Sequence, residues 1–100
     1  YAWAVAKGGN ATHITASAAL VTGTSYLCDT SGGSFTVTLP ATPARGEAVK
    51  IVDGADFEAN PLYIDFGGVP YEGVVDTLAL DVSRNLELMY INPTIGWRAI

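Results

Sequence analysis

Apolar and polar residues alternate with a period of two along much of this chain. Phe35, Val37 and Leu39 share one face of their segment, while Ser34, Thr36 and Thr38 share the other. That is the pattern of a strand with one side in a core and one side in water. Leu62, Ile64 and Phe66 alternate in the same way with Tyr63 and Asp65, and Leu78, Leu80 and Val82 with Ala79 and Asp81. The segment 86–91 is apolar on both faces, with Leu86, Leu88 and Tyr90 on one and Met89 and Ile91 on the other. A strand of that kind lies centrally in its sheet or turns its second face to a neighbouring subunit. Glu87 limits the dry part of that second face to one end.

Helical periodicity is nearly absent. The best candidate, Ser17 to Val21, is stopped by Gly23 after barely one turn, too short to be stable alone. It reads as a connector or an irregular strand. Turn-forming groups punctuate the chain instead: Gly8-Gly9-Asn10, Ser31-Gly32-Gly33, Asp53-Gly54, Gly67-Gly68, Ser83-Arg84-Asn85 and Asn92-Pro93. Strands spaced by about 8–12 residues with such punctuation point to a sandwich or barrel. The pattern predicts strands near residues 2–6, 12–16, 25–29, 34–39, 48–53, 61–66, 78–82, 86–91 and 96–100. The expected fold is all-β, an antiparallel, jelly-roll-like β-sandwich of about 8–9 short strands. No fixed-period repeat or low-complexity linker divides residues 1–100, so one module is expected. Tyr1 in place of an initiator methionine predicts a piece of a longer polypeptide.

Charge sharpens this picture. Charged residues are 15% of the chain, against roughly 25% in ordinary soluble domains. So little charge on a small body predicts that other subunits, or the rest of a longer chain, cover part of the surface. The net charge is −5, and Lys7, Arg45, Lys50, Arg84 and Arg98 lie singly. Nucleic acid needs clustered cations to displace its counterions, which argues against that partner and against anionic lipid. The longest aliphatic stretch, Ala18 to Val21, is far short of the roughly 20 residues of a spanning helix, so no membrane insertion is expected.

Candidate chemistry is sparse. His13 is the single histidine and Cys28 the single cysteine. A nucleophile needs a base beside it, and no Gly-x-Ser-x-Gly elbow occurs, so no catalytic residue is assigned and no enzyme is expected. His13 reads as a partly exposed strand residue, and Cys28 as a small buried hydrophobe. One Cys and one His make no zinc site. The acids Asp53, Asp56 and Glu58 lie close together but lack the EF-hand spacing, so a solvated turn is preferred over a calcium loop. No Gly-rich phosphate loop opens a helix, and no cofactor is expected. Asn10-Ala11-Thr12 matches the glycosylation pattern, which matters only in a secretory compartment. The aromatics Trp3, Tyr63, Tyr71 and Trp97 combine apolar area with a polar tip. Core or subunit packing is their commoner fate, and Tyr63, Tyr71 and Trp97 are the possible glycan contacts.

Residues 25–53 carry a more specific pattern: Tyr26-Leu27-Cys28-Asp29-Thr30, then Gly32-Gly33, then Phe35-Thr36-Val37-Thr38-Leu39-Pro40, then Pro43 through Gly46-Glu47 to Val49, Ile51 and Asp53. This resembles a stretch of bacteriophage tail fibres, tailspikes and related virion fibres, in which a Gly-Gly hairpin precedes a Leu-Pro step. Leu86 to Tyr90 and the closing Gly96-Trp97-Arg98 are also similar, so the likeness covers about three-quarters of the chain. Cys28 departs from it if the usual residue there is aliphatic. The resemblance implies a structural and host-recognition module on the virion, assembling as a homotrimer for attachment to the host surface. Its implied partners are further copies of itself, other fibre or tail proteins, and a host surface glycan. The shared motif is a folding motif, so no functional residue carries over. The competing expectation is a carbohydrate-binding module with an aromatic sugar-stacking site, and more remotely a glycosidase.

Overall fold

The computed structural model describes residues 11–100. The strand expected at 2–6, Trp3 and the Gly8-Gly9-Asn10 turn lie outside the described residues. The remaining residues form an all-β structure of nine strands: β1 Thr12–Ile14, β2 Ala18–Ala19, β3 Ser25–Cys28, β4 Thr36–Thr38, β5 Ala48–Asp53, β6 Leu62–Asp65, β7 Leu78–Leu80, β8 Leu86–Asn92 and β9 Gly96–Ala99. The 17–21 segment contributes the short strand β2. Among the described residues no helix is long and apolar enough to cross a membrane.

The strands make two sheets, in the orders β1-β3-β5-β8-β9 and β2-β4-β6-β7. Here the expected antiparallel sandwich is corrected. The first three strands of each sheet run parallel, with Tyr26 of β3 beside Ile51 of β5 and Val37 of β4 beside Ile64 of β6. Only β7, β8 and β9 pair antiparallel with their neighbours. Parallel neighbours need a crossover to bring the chain back to the starting end, commonly a helix. In this protein the crossover is a strand of the other sheet. The chain climbs β1, β2, β3, β4, β5, β6, alternating sheets at each step, then closes the stack with β7 to β9. Gly32-Gly33 therefore does not close a hairpin; it carries the chain from β3 in one sheet to β4 in the other. Each turn of the climb is longer than the last, since Thr12 pairs with Tyr26 but Tyr26 with the far more distant Ile51.

The alternation read from the sequence decides what lies between the sheets. Phe35, Val37, Leu39, Leu62, Ile64, Phe66, Leu80, Leu86 and Leu88 are all buried in one hydrophobic cluster. Val82 is an exception at 47% exposure, because the chain leaves β7 after Leu80 and Val82 falls in the connection to β8. In β5, Val49, Lys50 and Ile51 are all buried. This is the middle strand of its sheet, and Lys50 lies directly across the ladder from Glu87, an opposite-charge pairing that sheets favour. Cys28 is fully buried, and burial, reinforced by the nearby Asp53 carboxylate, pushes its thiol up to about 12. It packs as a small apolar residue.

The turn at residues 53–58 is organised by one carboxylate. Asp53 Oδ1 accepts from the Ala55 amide at 3.0 Å, and Oδ2 accepts from the Phe57 amide at 3.1 Å and the Ser83 hydroxyl at 2.6 Å. Burial works to raise the Asp53 pKa, yet these three donors outweigh it and hold the group below its ordinary 3.8. Folding thus favours the ionised form, and the stability this contributes is present above about pH 4 and lost as pH falls through the lowered folded value. Asp53→Asn is expected to lower the denaturation midpoint at pH 7 and to flatten its fall below pH 4, which urea titrations across pH will check.

Candidate functional site

The connection between β6 and β7 builds a concave feature that gathers aromatic and acidic residues. After Phe66 the chain leaves β6, an inner strand of the four-stranded sheet, and crosses to the edge of β9. Trp97 donates its amide to Pro70 O at 2.8 Å, Glu72 donates to Trp97 O at 2.9 Å and Gly73 to Ile95 O at 2.9 Å. Tyr71 then turns back tightly, its amide and carbonyl bonded to those of Val74 at 2.8 and 3.0 Å. The segment ties the two sheets together at the closed end of the stack.

Against this segment lies a cleft of about 330 Å³, lined by Phe66, Tyr71, Glu72, Val74, Asp76, Thr77 and Leu78. Phe66 stacks on Tyr71 with ring centroids 5.0 Å apart and planes 17° from parallel. One Tyr71 face is thereby taken, and a ligand meets the ring by its other face or its phenolic edge. Arg98 Nε donates to Glu72 Oε1 at 3.0 Å, and Asp76 Oδ1 accepts from the Thr77 amide at 2.8 Å. The cleft therefore has mainly apolar walls with Glu72, Asp76 and Thr77 among its lining residues, a combination suited to a small ligand with both C–H and hydroxyl surface.

The three aromatics proposed as glycan contacts separate. Tyr71 lines the cleft. Tyr63, 39% exposed, stands on the outer face of β6 with Thr36 and Ala79 beside it. Trp97 is fully buried and packs edge-on to Tyr90 at 5.9 Å, so it offers no ring face to a ligand. Glu72 was not singled out by sequence reasoning; the signal available was its place in a Gly- and Pro-rich crossover beside Tyr71.

The other candidates are structural in their surroundings. His13 Nε2 lies 3.3 Å from Asp29 Oδ2 on the exposed end strand. Asp29 is held below its ordinary value first by bonds from Ser31 and then by His13. In the 53–58 turn, Asp53 and Asp56 accept backbone amides of the turn itself. Among the described residues no three His, Cys, Asp or Glu side chains converge as a metal group would require.

No protein-family model and no curated protein sequence matches this chain. A solved structure does. It is described as "Structure of a chaperone-substrate complex", and one chain of it superposes with a TM-score of 0.51 at 15% identity, over 92% of this chain and 14% of that one. At that identity the likeness is one of fold. This chain corresponds to a small part of the neighbour's length.

Proposed function

We propose that this chain is a structural and host-recognition module of a phage tail fibre, assembling as a homotrimer on the virion and working without catalysis. The observation that carries this reading is the parallel climb of the two sheets. Each layer rests on the one before it, so the module grows along one axis, as repeat architectures do. At one end lie β7 and β9, with the 70–73 crossover bonded to β9. At the other end β1 and β2 have no strand on their outer side among the described residues, and such edges accept further strands. The resemblance of residues 25–53 to virion fibres gives the axis its biological sense. The outward faces of β3, β5 and β8 add half-buried Leu27, Val52 and Met89, which offer apolar contact to a neighbouring copy.

Light scattering at micromolar concentration tests this. The reading expects three times the mass of one chain, and expects Met89→Lys to release folded monomers. A wild-type monomer contradicts it. The cleft favours a second reading, a carbohydrate-binding module, which a glycan array separates from a purely structural role.

A further inference from the structure

We propose that the cleft beside Tyr71 holds one neutral pyranose ring of a surface glycan. This deepens the host-recognition reading and rests on it. A pyranose presents C–H faces and a rim of hydroxyls. The cleft answers the first with Phe66, Tyr71, Val74 and Leu78, and the second with Glu72, Asp76 and Thr77. Its volume of about 330 Å³ suits a single ring better than an extended oligosaccharide. Hydroxyls donated to carboxylates make charge-assisted bonds, stronger than those between neutral groups.

The backbone supplies an independent reason to place the site here. Glu72 is the only non-glycine residue at positive φ among the described residues, at 51°, followed by Gly73 at 85°. Two-residue turns with both central residues at positive φ favour Asn or Asp before Gly, because a short polar side chain supports that conformation. Glutamate gains no such local support and holds the position against strain, a feature that concentrates at ligand sites. What the longer side chain gains is reach: Glu72 borders the cleft, its Oε1 accepts from Arg98, and its second oxygen is a further acceptor. Asp76 is likewise oriented by the Thr77 amide. Arg98 offsets the charge of Glu72, so Asp76 and the chain's net charge of −5 are what disfavour uronic and sialic acids at this site.

Amide chemical shifts of the labelled protein, titrated with methyl glucoside, galactoside, mannoside and glucuronide, test the assignment. At least one neutral glycoside is expected to give saturable shifts confined to residues 66–78, with the glucuronide giving none. Asp76→Asn, with its strand shifts intact, is expected to weaken that binding about tenfold, the worth of one bond to a charged acceptor. Saturable shifts centred on Tyr63 overturn the cleft assignment while keeping glycan recognition. Silence with all three neutral sugars overturns it outright, and glucuronide binding equal to theirs overturns the charge argument. A trimer that binds no sugar leaves the fibre reading standing without the cleft, and a monomer that binds sugar at residues 66–78 does the reverse.

Discussion

Gly96→Ala is expected to cost about 3–5 kcal/mol, a large fraction of the roughly 5–15 kcal/mol that holds a small domain together. Gly96 opens β9 at φ 73°, and a Cβ placed there would lie 1.8 Å from the Pro70 carbonyl oxygen. That oxygen cannot move aside cheaply, because it accepts the Trp97 amide and anchors the β6–β7 crossover on the edge of β9. Gly68 is the control. It has a similar φ of 85° and open space around the added methyl, so Gly68→Ala should cost only the backbone term of about 1–2 kcal/mol. Urea denaturation of the two variants separates conformational cost from collision. Equal midpoints would mean that Pro70 does not pack on Gly96. The same substitution should also disturb the cleft, since Tyr71 follows the residue that is displaced.

The second large effect lies at the other side of the core. Phe57 is fully buried although it sits in a turn between two acids. Its amide is held by Asp53, which aims the ring inward from a loop that would otherwise be wholly solvated. Phe57→Ala is expected to destabilise by about 3–5 kcal/mol, the usual cost of emptying a buried aromatic site. Glu58→Ala next to it, at an exposed position, should stay within about 0.5 kcal/mol. A Phe57→Ala midpoint close to wild type would show that the ring does not fill the core.

These two residues mark where the sequence is readable and where it is not. Period-two alternation located β4 and β6 and their buried faces, because a half-buried strand writes its geometry directly into residue order. Alternation is silent about strand direction. An antiparallel hairpin and a rise into the opposite sheet both begin with a strand followed by Gly32-Gly33, so parallel pairing could not be told from a meander. The repeat itself escaped notice because the climb from Thr12 to Tyr26 is much shorter than that from Tyr26 to Ile51, leaving no fixed period to detect. Phe57 was hidden by its acidic neighbours, whereas β2 was legible only as a connector or an irregular strand because it is two residues long. The cleft depends on a crossover docking against β9, a contact between distant residues that no local pattern records. Tyr71 was legible as an amphipathic aromatic, whereas the burial of Trp97 followed from its place behind that crossover.

The fibre reading depends on strands that climb in parallel. Cross-strand proton contacts in the labelled protein test that most directly, because antiparallel ladders bring opposed α-protons close together and parallel ladders do not. The structure predicts amide-to-α-proton contacts linking Tyr26 with the Ile51 region and Val37 with the Ile64 region, and close α-proton pairs only along β5–β8, β6–β7 and β8–β9. Strong α-proton pairs between β3 and β4, or between β3 and β5, would contradict it.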